Sequence, residues 1–117
     1  MFSVLDPTGL TKLREMSGGD EAFLAEMIDT FLADAPKMLA EARQSFERGD
    51  APTLRRAAHS LKSNSAEFGA KRLSELCREL EMMGKAGEFD GAGDKLAQAD
   101  VEYAQVKAAL ESIRQGQ

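Results

Sequence analysis

The sequence predicts an all-α protein: an antiparallel up-down-up-down four-helix bundle with a short extra helix at its N-terminus. Three observations lead there. Apolar residues recur at alternating three- and four-residue spacing along the long stretches. Sustained period-two alternation is absent and β-branched residues are few. Short connections rich in Gly, Asp and Pro join the stretches, which makes consecutive helices antiparallel neighbours. The 117 residues suit one domain, 1–117, with a single core.

Asp6-Pro7 reads as an N-cap followed by proline at the first helical position. It opens a short helix with Leu10 and Leu13 on one side, which stops at Ser17-Gly18-Gly19 and caps one end of the core. Asp20 starts a much longer helix whose stripe is Leu24, Ile28, Phe31, Ala35, Met38, Ala42 and Phe46, widened by Phe23, Met27, Leu32 and Leu39. Pro36 removes one backbone hydrogen bond inside it, but the stripe keeps phase, so a bend without a break is expected. Asp50 caps the third stretch, about 51–68, with Pro52 in its first turn and Gly69 to end it.

Ala70 to Met83 forms the next helix, with Leu73, Leu76, Cys77, Leu80 and Met83 inward; Met82, Met83 and Cys77 read as core filling. Phe89, Ala92, Leu96, Ala99, Tyr103, Val106, Leu110 and Ile113 define the last helix. Its pattern starts it near Glu88, with Gly91 and Gly93 weakening its first turns. Gly84, Gly87, Gly91 and Gly93 are clustered, but no phosphate-cradling motif follows a strand here.

Composition narrows the function. One cysteine, Cys77, rules out an intrachain disulfide, suits a cytoplasmic setting, and with a single histidine leaves no Cys/His metal cluster. No apolar run approaches a membrane span, and the N-terminus lacks a secretory pattern. A net charge of −5 argues against nucleic acid as a partner. The charge is uneven. Between Ala51 and Arg78, Arg55, Arg56, Lys62, Lys71, Arg72 and Arg78 face only Glu67 and Glu75, a local +4 against −9 elsewhere. Such an island can steer an acidic partner to one face, although ordinary helix-surface charge gives the same count.

His59 lies in this island. At about 100° per residue, Ala58, Leu61, Ser65 and Phe68 fall within roughly 40° of Leu54, whereas His59 lies about 140° away, toward solvent. Arg55, Ser63 and Ala66 share its face, and Lys62 flanks it nearer the core edge. Imidazole is a competent nucleophile near neutral pH. Attack on a phosphoryl group gives a phosphoramidate whose charge an ammonium at i+3 can offset, while Ser63 and Ala66 leave the approach uncluttered. An exposed histidine with a basic i+3 neighbour also arises by chance, so spacing alone leaves a surface histidine and a reactive one as equal readings.

The stretch AHSLKSNSAEFGA, Ala58 to Ala70, resembles the signature of the histidine-containing phosphotransfer (HPt) domain, commonly AHxLKGxxxxxGA. The resemblance extends to GDEAFLAEMIDTFLADAP, to Leu73-Ser74-Glu75-Leu76-Cys77 and to the terminal helix. It implies a four-helix-bundle carrier, not a kinase, that takes a phosphoryl group from a receiver-domain aspartate and passes it to another response-regulator receiver. His59 matches the phosphoacceptor, reacting at Nε2, and Lys62 the lysine that supports the phosphate. Ser63 departs from the usual glycine, which allows close docking. Glu81 stands where some members carry a polar residue, often glutamine, that orients the imidazole; a carboxylate there accepts the Nδ1 proton.

Arg55, Ser63 and Ala66 are then partner-binding positions. The expected partners are receiver domains and a hybrid histidine kinase; the carrier is a monomer without cofactor, and Mg²⁺ belongs to the receiver. The alternatives are a non-transferring module that sequesters a response regulator, and an enzyme, for which neither a nucleotide motif nor a catalytic carboxylate pair is present.

Overall fold

The computed structural model describes residues 4–116, and the described residues contain five helices and no strand. They are α1 (Pro7–Met16), α2 (Glu21–Arg48), α3 (Ala51–Glu67), α4 (Lys71–Ala86) and α5 (Ala92–Arg114). Helices α2 to α5 form the antiparallel bundle, α2 packing on α3 and α5, and α4 on α3 and α5. The α3–α4 interface is the most extensive.

Aspartates set three of the starts. Asp6 accepts from the Thr8 amide at 3.3 Å, Asp20 from the amides of Ala22 and Phe23 at 3.0 and 3.2 Å, and Asp50 from that of Thr53 at 3.2 Å. Each satisfies donors that the first helical turn leaves free. Helix α2 runs through Pro36 unbroken, as the unshifted stripe requires.

The predicted core residues of α3 are all buried: Leu54 (0% exposed), Ala58, Leu61, Ser65 and Phe68. Leu24, Ile28, Phe31, Ala35, Leu39 and Ala42 supply the face of α2, and Leu73, Leu76, Cys77 and Leu80 that of α4. Ala92, Leu96, Ala99, Tyr103, Val106 and Leu110 complete the core from α5. Two assignments fail. Phe23 is 47% and Met82 56% exposed; both sit beside their stripes, one step of about 100° outside the arc the neighbouring helices cover.

The last helix begins at Ala92, four residues after the start expected near Glu88. Gly91 adopts φ +84°, a left-handed conformation that places it as the N-cap of α5. Phe89 therefore precedes the helix and packs from the turn against Phe46, their ring centroids 6.1 Å apart. An inward residue just before a helix extends the apparent period without being helical.

Two glycines bring backbones together. Gly69, at φ +74°, ends the α3 turn and accepts from the Asp6 amide at 2.6 Å, docking α1 against the α3–α4 connection. A Cβ on Gly84 would lie 2.8 Å from the Arg55 nitrogen and 3.0 Å from the Ala51 oxygen. No side chain other than hydrogen fits there, so α4 lies directly on the first turns of α3.

Candidate functional site

The close α3–α4 packing decides what surrounds His59. The wheel phase turns its side chain outward, and it is 60% exposed. On α4, Ser74 and Glu81 stand seven residues apart on the side facing α3. The Ser74 hydroxyl donates to the Lys62 carbonyl at 3.1 Å, tying the helices beside the site. Two turns further on, the Glu81 carboxylate reaches two side chains of α3, His59 and Lys62. Its Oε2 lies 2.7 Å from His59 Nδ1, and its Oε1 accepts from Lys62 Nζ at 2.6 Å.

Glu81 is only 18% exposed, yet it remains ionised near neutral pH. The Lys62 hydrogen bond, helped by that of His59, holds its carboxyl below the usual carboxylate value against the opposing effect of burial. An ionised carboxylate can only accept a hydrogen bond. The proton between Glu81 and His59 is thus on Nδ1, and in the neutral ring the lone pair belongs to Nε2, on the open side. A nucleophilic nitrogen with its tautomer fixed from behind is a recognisable chemical device.

Residues 26–116 match the Hpt domain family model. The chain belongs to the Hpt family. A crystal structure of histidine-containing phosphotransfer protein B from Pseudomonas aeruginosa PAO1 superposes on all of this chain and 99% of its own, with a TM-score of 0.91 and 32% identity. Histidine-containing phosphotransfer protein 2 of Arabidopsis thaliana is 28% identical over 109 residues, covering 91% of this chain and 69% of that protein. The HPt domain of an Hpt sensor hybrid histidine kinase from Shewanella shares the fold, with a TM-score of 0.76 at 16% identity. Membership supports a histidine-phosphotransfer role in a phosphorelay, as a phosphocarrier rather than a kinase.

Within this Hpt domain the sequence-derived site residues are brought together. Arg55, His59, Ser63 and Ala66 are all exposed, and Lys62, 28% exposed, flanks them. Glu81 comes from α4, which the helical geometry of α3 does not contain, and it holds Lys62 as well as His59. The family resemblance had pointed to Glu81 as the acceptor of the Nδ1 proton, which the structure shows; its bond to Lys62 had no signal in the sequence. The described residues include no cluster of three or more His, Cys, Asp or Glu suited to a metal ion, and no helix among them is long and apolar enough to cross a membrane. Cys77 is buried in the core, where desolvation pushes its thiol up to about 12, so it has no thiolate chemistry near neutral pH.

Proposed function

We propose that this Hpt domain accepts a phosphoryl group on His59 Nε2 from the phosphoaspartate of a receiver domain and passes it to a second response-regulator receiver. The observation that carries the reading is the Glu81 carboxylate 2.7 Å from Nδ1, behind a ring whose other nitrogen faces solvent. The Nε2 lone pair attacks phosphorus, the N–P bond forms, and the P–O bond to aspartate breaks, its electron pair leaving with the carboxylate. The proton stays on Nδ1, and Glu81 offsets the positive charge the ring acquires. In the return step neutral imidazole leaves, so neither direction requires a proton transfer.

Lys62 exchanges Glu81 for a phosphoryl oxygen once the group is bound, a rotation of its flexible stem rather than a backbone change. Arg55, Ser63 and Ala66 border the exposed ring and meet the incoming receiver. The Ser63 hydroxymethyl stands where glycine would let the partner approach closer. Mg²⁺ is supplied by the receiver's acidic site, and a hybrid histidine kinase stands upstream.

The test is transfer from an acetyl-phosphate-labelled or kinase-labelled receiver. Label should appear on this chain as acid-labile, alkali-stable phosphate and be lost in His59→Gln. Persistence of label in His59→Gln sinks the assignment, and labelling by ATP alone would reveal an enzyme instead. Stable receiver binding without transfer would make the chain a sequestering module.

A further inference from the structure

The structure divides the basic island between Ala51 and Arg78 into used and unused charge. Lys62 is paired with Glu81, Lys71 with Asp6 at 3.1 Å, and Arg78 with Glu75. Arg72 turns to α5, donating to Gln98 at 3.1 Å. Arg55 and Arg56 remain; neither forms an ion pair among the described residues, and Arg56 donates only to the Thr53 hydroxyl. The tight crossing at Gly84 places Lys85 of α4 beside them, also without an ion pair among the described residues.

The groove between the helices is lined by Pro52, Arg55, Arg56, Gly84, Lys85 and Gly87 among others, with no acidic residue. Of the carboxylates on its flanks, Asp50 and Glu81 are committed elsewhere, and Glu88, just beyond Gly87, is exposed and forms no ion pair among the described residues. Asp50 binds Thr53 and Arg48, and Glu81, one turn before Lys85, binds His59 and Lys62. Three cations without an ion-pair partner among the described residues thus form a shelf on a chain whose net charge is −5.

We propose that this shelf of Arg55, Arg56 and Lys85 docks an acidic segment of the protein partner that reaches His59. The proposal rests on the phosphocarrier reading above. Arg55 lies one helical turn before His59 on the same face, so a partner seated on the ring also overlies the shelf. A patch of three cations on an acidic body suits a local acidic segment, since an extended polyanion or anionic bilayer would meet the repelling surface around it. Paired cations contribute little to such steering because their charge is already offset; the unpaired ones set the encounter rate.

The test compares Arg56→Glu/Lys85→Glu with a control of equal charge change, Lys37→Glu/Lys107→Glu, on exposed residues of α2 and α5. The probes are a purified phosphorylated receiver that labels the wild-type chain and a fluorescent oligoglutamate peptide. The shelf reversal should lower the second-order transfer rate and the receiver affinity about tenfold, and the control less than about twofold. The gap should close near 0.5 M salt, where the Debye length falls to a few ångströms. The neutral pair Arg56→Gln/Lys85→Gln should give an intermediate loss, separating charge from misfolding.

Equal slowing by shelf and control reversals, or none by the shelf, overturns the proposal. So does shelf-dependent binding of phosphatidylserine vesicles or duplex DNA without binding of oligoglutamate. Wild-type binding of the receiver without phosphate transfer would defeat the carrier reading instead, and shelf-dependent affinity would then still decide the docking claim.

Discussion

Gly84→Ala tests whether the α3–α4 contact sets both stability and site geometry. The added Cβ would meet the Arg55 nitrogen at 2.8 Å, and the Ala51 oxygen and Arg55 Cα at 3.0 Å. All three are backbone atoms within α3, so they cannot rotate away; the helices must separate by several tenths of an ångström along their largest interface. Overpacking of this kind costs about 1–3 kcal/mol. Replacing glycine by alanine inside a helix returns about 1 kcal/mol. The net expectation is a loss of up to about 2 kcal/mol, on the order of 8 °C in Tm at most for a domain of this size.

Gly93→Ala is the natural comparison. There the Cβ meets only the Phe46 ring edge, at 3.3 Å, which can tilt, so stability should stay level or rise. Urea and thermal unfolding of both variants measure the difference. Glu81 lies one turn before Gly84, so Gly84→Ala should also loosen the Nδ1 hydrogen bond, read as movement of the His59 ring ¹⁵N resonances. Equal stability of the two variants, with an unchanged His59 spectrum, would refute the argument that backbone contact positions the site.

Two further outcomes follow from burial and from the Glu81 network. His59→Ala should change unfolding free energy by no more than about 0.5 kcal/mol, whereas Leu61→Ala, 2% exposed and two residues on, should cost about 2–5 kcal/mol; similar losses would mean the α3 face is wrongly phased. Lys62 and His59 hold the Glu81 carboxyl below its usual value of 4.5. The unfolded chain therefore binds the proton more readily, and the stabilisation is complete above about pH 4.5 and is lost as pH falls through the lower folded value. In urea titrations the advantage of wild type over Glu81→Gln should accordingly shrink as pH falls below about 4.5; an advantage that keeps growing below that pH would contradict it.

The sequence by itself determined the helical class, the bundle and the outward direction of His59, because these depend on the period of apolar residues within single helices. Leu54, Ala58, Leu61, Ser65 and Phe68 specify the buried face of α3 whatever packs on it. Where local and tertiary causes separate, the sequence falls short. Phe89 continues the α5 period yet lies before the helix, since Gly91 turns the chain and Phe46 receives the ring.

The site shows the same division. Arg55, His59, Lys62, Ser63 and Ala66 share one helix and were legible from its geometry. Glu81 was placed only through the family resemblance, which anticipated its bond to His59 Nδ1 but not its hold on Lys62. That bond depends on how far apart α3 and α4 lie, which is decided by hydrogen in place of a side chain at Gly84. The same contact collects Arg55, Arg56 and Lys85 from two helices while ion pairs cancel the neighbouring charges. A count along the chain sums charges; only their positions in space decide which remain to meet a partner.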